Sequence, residues 1–144
     1  MVLEYSEDEL PGLNNTMFAR PPVYARRADL PELERIAAQA RGNADAALFL
    51  QEFGRLSIAP ETGEPAFVHL GAWVAYRDLR TRRQRRVRVV RPGSENPEEN
   101  EVSLLSPIGA ALVGLAEGAI FRWKDAGGGS RAVRVLKVAA AEGD

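Results

Sequence analysis

The sequence predicts an α+β protein: a short N-terminal antiparallel helical hairpin, then an antiparallel β-sheet domain with one short helix against it. Three observations predict this. Apolar residues recur at helical spacing in two blocks between residues 29 and 56. From residue 66 onward they alternate over short runs broken by Gly, Pro and Asn, the period of half-buried strands. Within that second region, residues 101–118 read as a strand running directly into a capped helix.

Taken in order, residues 1–27 read as a flexible acidic and extended arm. Glu4, Glu7, Asp8 and Glu9 cluster at its start. Arg20-Pro21-Pro22-Val23-Tyr24 reads as extended chain, because each proline disfavours the helical region for its predecessor. The hairpin spans 28–58. Asp29 is the expected N-cap of a first helix in which Leu30, Leu33, Ile36 and Ala37 share a face. Gly42-Asn43 breaks that helix. A second is predicted from Asp45 to Leu56, capped by Asp45, with Ala46, Phe49, Leu50 and Phe53 on one side. Helices of this size make a hairpin about 18 Å long.

The sheet spans 66–138. Phe67, Val68 and Leu70 predict a short strand, and Trp73-Val74-Ala75-Tyr76 the next. Residues 85–91 predict a third, with Val87 and Val89 facing opposite to Arg86, Arg88 and Val90. A turn at 78–83 makes the last two a hairpin, and 92–100 form a loop rich in Glu, Asn and Pro. Ser106 is the expected N-cap of the helix that follows, and Pro107 occupies its first position, where the missing N–H costs nothing. Ile108, Ala111, Leu112 and Leu115 then recur on one face, and Gly118 is expected to stop the helix. A last hairpin joins 119–123 to 132–138 through Gly127-Gly128-Gly129, leaving 139–144 as a frayed tail.

Composition excludes several kinds of chemistry. The chain has one histidine, no cysteine and a net charge of −1. That removes disulfides, thiolate chemistry and His-based triads or metal sites. His69, between Val68 and Leu70, reads as structural. The Gly127–129 run lacks the Gly-Lys-Ser/Thr ending of a phosphate loop and precedes a strand. Glu95, Glu98, Glu99 and Glu101 read as a solvated segment rather than a cation site. No apolar run approaches the roughly 20 residues of a membrane span, and the acidic start lacks the basic residues of a secretory signal. A cytoplasmic protein with no membrane partner is expected. Eight of the 19 basic residues fall between 77 and 91. Such a ribbon could contact phosphates, but an acidic loop follows it and no aromatic residues interleave with the arginines. The expectation is therefore a solvated face, or one complementary to an acidic protein surface, without direct nucleic-acid contact. No catalytic residue, metal ligand or cofactor site emerges, so the chain is read as a non-enzyme.

Residues 101–118 also resemble the signature of the GreA/GreB transcription-factor C-terminal domain. The likeness rests on Val102-Ser103-Leu104-Leu105-Ser106-Pro107-Ile108-Gly109, on Ala111-Leu112-Val113-Gly114 and on Glu117-Gly118. Ser106, Pro107, Gly109, Leu112, Gly114 and Gly118 are its fold signature. Gly71-Ala72-Trp73-Val74-Ala75-Tyr76-Arg77-Asp78 is similar to the family's first long strand, 87–92 to its second, and Gly127-Gly128 to its last turn. The resemblance covers about 66–138 and implies an FKBP-like sheet wrapped on a short helix. It implies RNA polymerase as partner. In GreA and GreB a long coiled coil with acids at its tip enters the polymerase secondary channel and helps hold a magnesium ion for transcript cleavage. The Rnk branch (regulator of nucleoside diphosphate kinase) keeps the C-terminal domain and shortens the coiled coil.

Arg20-Pro21-Pro22-Val23 ahead of Asp29-Leu30 and a short hairpin resembles the Rnk branch. A hairpin of about 18 Å falls short of the roughly 45 Å of 30-residue helices. Its tip, with Asn43 and Asp45, offers one carboxylate where a cleavage factor uses two. The resemblance thus implies a monomeric regulator that docks on the polymerase β′ subunit at the secondary-channel rim, competes with Gre factors and does not stimulate cleavage. By the same resemblance, contact runs through Pro92, Gly93, Ser94 and Glu95, with Ile108 nearby. Two alternatives stand beside it: cleavage through Asp45, and peptidyl-prolyl isomerisation by analogy with FKBP enzymes. The second needs an aromatic-lined pocket, whereas Phe67, Trp73, Tyr76, Phe121 and Trp123 are spaced as core-filling strand residues. The acidic arm and the Arg-rich first hairpin depart from the Rnk pattern.

Overall fold

The computed structural model describes residues 20–60, 62, 65–125 and 127–139. The elements run β1 (Val23–Ala25), α1 (Leu30–Ala40), α2 (Ala47–Phe53), β2 (Leu56–Ile58), β3 (Trp73–Asp78), β4 (Gln84–Val90), β5 (Glu101–Ser103), α3 (Pro107–Leu112), β6 (Ile120–Lys124) and β7 (Ser130–Ala139). The acidic cluster at Glu4–Glu9, Gly63 and the tail beyond Ala139 lie outside the described residues.

β3 to β7 form one sheet in the order β5-β4-β3-β7-β6, an α+β arrangement with the helices on one side. Alternation builds its inner face: Val74 and Tyr76, Val87 and Val89, Phe121 and Trp123, and Val133 and Val135 are all buried. Leu112 of α3, Leu33, Ile36 and Ala37 of α1, and Phe49 of α2 belong to the same hydrophobic cluster. The helical segment therefore does not stand apart from the sheet: α2 packs more heavily on α3 than on α1. The sheet is not wholly antiparallel. β5 runs parallel to β4, with Arg88 opposite Glu101, because the loop at 91–100 carries the chain back before β5 begins.

Several local expectations are corrected. Asp29 precedes α1 but caps nothing: its carboxylate takes two hydrogen bonds from Arg26, at 2.8 and 3.1 Å, which draws it away from the helix end. α2 is seven residues long, not twelve. Its entrance is a 3₁₀ turn capped by Asn43, whose side chain accepts from the Asp45 N–H at 2.9 Å, so Asp45 is not the cap. Its far end is lost to β2, where Leu56 pairs with Val23 in a parallel two-stranded sheet. Residues 67–70 form only an isolated bridge, Phe67 to Ala116, before the Gly71 turn. Ala139 is the last residue of β7 rather than the start of a tail.

The helix stop is also displaced. α3 ends at Leu112, Val113 swings to φ −59° and ψ 132°, and Gly114 takes φ +86°. A Cβ on Gly114 would lie 2.3 Å from Val23 Cγ1 and 3.0 Å from the Tyr24 backbone. The chain must turn there because β1 is pressed against it, with Tyr24 N–H bonded to Gly114 O at 2.9 Å. Gly118 serves the later turn into β6, and Leu115 lies beyond the helix.

One buried charge has no counterpart in the sequence reading. Glu52 is 2% exposed. It accepts from Arg55 at 2.7 and 3.1 Å and from Gln51 at 3.0 Å, while Arg55 also donates to Pro21 O at 3.0 Å. These bonds satisfy the carboxylate, as a buried charge requires. They also tie α2 to the extended chain ahead of β1.

Candidate partner-binding site

The strand-to-helix junction is the frame of the site. Ser106 Oγ accepts from the Gly109 N–H at 3.1 Å and donates to Ser103 O at 2.7 Å, so one hydroxyl closes the helix start and the strand end together. Gly109 has no room for a side chain, since a Cβ would stand 2.0 Å from Ser103 O. This close approach holds α3 against β5 and sets where the loop at 91–100 leaves and returns.

Within that loop Pro92 is half-buried, and Gly93, Ser94 and Glu95 are exposed. Gly93 sits at φ +92°, and its N–H donates to Glu95 Oε1 at 2.8 Å. Ser94 N–H closes a turn onto Arg91 O at 3.1 Å. The Glu95 carboxylate is thus folded onto the loop backbone. Arg91 clamps the loop to α1: its guanidinium meets both Glu32 oxygens, with Nη2 donating to Oε1 at 3.0 Å. Hydrogen bonding from Arg91 holds the Glu32 carboxyl below its ordinary value, and the same contact raises Arg91.

The clamp brings two expected regions together. A groove of about 390 Å³ lies between Ile36 and Gln39 of α1, Asn43 at the hairpin tip, and Pro92 and Leu105. A neighbouring hollow of about 380 Å³ is lined by Ser94, Arg88, Glu101 and Glu32. Ile108 is not drawn in: it is half-buried on α3, packs against the core and lines neither hollow. Asp45 is exposed at the tip and lines neither. The Arg91–Glu32 clamp was missed in the sequence, because 59 residues separate its partners and no local pattern links them.

Among the described residues, no three His, Cys, Asp or Glu side chains are grouped to hold a metal ion. His69 is half-buried, with Nδ1 3.1 Å from Leu70 O and its ring edge-on to Phe67. Asp78 closes the β3–β4 turn. Burial pushes its carboxyl up, but the N–H groups of Thr81 and Arg80 and the Arg131 guanidinium outweigh that and hold it below its ordinary value. Burial raises the Tyr76 hydroxyl. No described helix is long and apolar enough to cross a membrane.

The fold is thus a small sheet wrapped on a capped helix, with a clamped loop at its rim. Residues 64–140 match the family described as transcription elongation factor, GreA/GreB, C-terminal. The chain belongs to the GreA/GreB family. Factors of this family act on RNA polymerase, which sets the general kind of partner. Among solved structures, a prokaryotic transcription elongation factor GreA/GreB from Nitrosomonas europaea is similar in fold, at TM-score 0.62 and 24% identity over 83% of this chain and 99% of that one. Gfh1, the GreA factor homolog 1 of Thermus thermophilus, aligns at TM-score 0.43 and 22% identity over 78% and 86% of the two chains. Gfh1 of Thermus aquaticus aligns at 0.46 and 20%, over 84% and 100%. A search of curated proteins finds no significant match.

Proposed function

We propose that this chain is an Rnk-like RNA polymerase-binding regulator. It docks on the β′ subunit at the secondary-channel rim through Pro92, Gly93, Ser94 and Glu95, competes with cleavage factors and has no catalytic role of its own. The observation that carries this is the hairpin. α1 and α2 have eleven and seven residues, so they reach only about 16 and 10 Å. Both are packed into the core of the sheet, and the tip presents a single carboxylate, Asp45. Family membership supports the polymerase as partner, and the Arg91–Glu32 clamp supports the loop as a preformed docking edge. Ile108, half-buried on α3 and lining neither hollow, is left out of this contact set.

The test is capture of core polymerase by the wild-type chain and by a Pro92→Ala, Ser94→Arg double variant. Capture by wild type and its loss in the variant are expected. Equal capture by both removes the loop from the interface. Transcript shortening in a stalled elongation complex, abolished by Asp45→Ala, would replace docking alone with cleavage. The burial of Tyr76, Phe121 and Trp123 in the core weighs against an isomerase pocket.

A further inference from the structure

The outward face of the main sheet gathers cations from four strands that are scattered in the sequence. Register places Arg88 beside Trp73, Arg86 beside Ala75 and Ala75 beside Lys137. Arg77 stands opposite Arg134, which in turn stands opposite Ile120. Arg122 and Lys124 continue the face along β6, at alternate positions from Ile120. No outward position on these four strands carries a carboxylate. Carboxylates stand at its margins: Glu101 on edge strand β5 lies 3.8 Å from Arg88, and Glu117 accepts from the Val138 N–H of β7 at 2.8 Å. Arg77, Arg86, Lys124 and Lys137 are exposed, and Arg86 lies over the Trp73 ring at 4.3 Å. Arg77, Lys124 and Lys137 have no ion-pair partner among the described residues.

We infer that this face binds the phosphate backbone of single-stranded nucleic acid. Arg77 and Arg134 stand directly opposite each other, which brings two cations together near the middle of the face. The net charge of the chain is −1, so the positive field is confined to one face and not a property of the whole. Neighbouring strands lie about 4.8 Å apart and alternate residues about 6.6 Å apart, which makes a lattice of cations along which a flexible chain of phosphates can lie. A protein partner of stable affinity calls for an apolar centre, depleted in lysine. The large apolar groups here are Trp73 (already covered by Arg86), Ile120 and the exposed Leu136 at the β7 bulge, separated by cations and not joined into one apolar centre. A hollow of about 510 Å³ at the sheet end is lined by Arg122 and Lys124, together with Arg80 and Arg131, which are ion-paired with Asp125 and Asp78. The sequence reading expected no such contact, because an acidic loop follows the arginines of β3 and β4 and no aromatic residues interleave with them; the inference departs from it on the cations that β6 and β7 bring alongside.

Fluorescence anisotropy on the full chain tests this, using labelled single-stranded RNA and DNA of one mixed sequence, longer than a site of about 16 nucleotides. Saturable binding at about 50 mM salt is expected, with a log–log salt slope of about −0.7 per phosphate engaged. An Arg77→Gln, Lys137→Gln double variant should bind about tenfold or more weakly, with a slope shallower by about 1.4. Arg41→Gln, at the exposed end of α1, should bind as wild type. Thermal melts confirm that both variants fold. Tighter binding of RNA or of DNA names the source, and equal binding names the shared backbone. No binding by wild type, or equal affinity of wild type and double variant, overturns the inference. Displacement of the oligonucleotide by polyglutamate at equal charge also overturns it, in favour of an acidic protein surface.

Discussion

Replacing Gly114 by alanine tests how the helix–strand junction is assembled. Two costs add. At φ +86° an L-residue is disfavoured by about 1–2 kcal/mol. The new Cβ would also lie 2.3 Å from Val23 Cγ1 and 3.0 Å from two backbone atoms of Tyr24. Backbone cannot rotate aside as a side-chain tip can, so β1 must shift, at about 1–3 kcal/mol for overpacking. The total, about 2–5 kcal/mol, is a large part of the 5–15 kcal/mol that holds a typical domain together. Gly118 is the internal control: its φ is +87°, yet a Cβ there meets nothing within 4 Å. Gly118→Ala should therefore cost only the backbone share, about 1–2 kcal/mol. Urea unfolding of both variants, with unchanged m-values, measures the difference. Hydrogen exchange should locate the extra loss in Gly114→Ala at Val23, Tyr24 and Ala25. Equal destabilisation by the two substitutions, within about 0.5 kcal/mol, refutes the claim that β1 is what forces the turn at Gly114.

Asn43→Ala should cost about 1 kcal/mol as a lost cap, while Asp45→Ala should change stability by less than about 0.5 kcal/mol; the reverse order in urea unfolding would return the cap to Asp45. Glu32→Gln removes a partly exposed ion pair, worth about 0.5 kcal/mol after solvent screening. Because Arg91 depresses the Glu32 carboxyl, that stabilisation is complete above its ordinary value of 4.5 and disappears as pH falls through the lower folded value. Wild type and variant should therefore converge in acid, and a difference independent of pH would count against the clamp. Glu52→Ala should lose about 2 kcal/mol, since Arg55 and Gln51 then lose charge-assisted bonds in a buried site. A thermal melt unchanged from wild type would show that the buried carboxylate contributes nothing.

Local patterns were legible where the physics is local. Ser106 and Pro107 announce a helix start because a cap and a donor-free first position act within one turn. Val87 and Val89 against Arg86 and Arg88 announce a half-buried strand because side chains alternate from residue to residue. The misreadings share a different cause. Asp29 and Asp45 both sit where caps belong, but Arg26 claims the first and Asn43 takes the role of the second. Periodicity continued α2 to Leu56, whereas pairing with Val23 takes Leu56 into β2. Gly118 was expected to stop the helix, whereas contact with β1 turns the chain earlier, at Gly114.

The candidate site divides in the same way. The amino-acid sequence alone determined the α+β class, the alternating strands, the Ser106–Pro107 junction and the family those residues mark, because each depends on neighbours a few positions apart. Tertiary structure alone decided that Arg91 clamps the 91–100 loop to Glu32, that Asn43 and Pro92 share a groove that Ile108 does not line, and that cations from β3, β4, β6 and β7 form one face. These depend on register and on contacts between residues far apart in the chain, which are set only when the whole core closes at once.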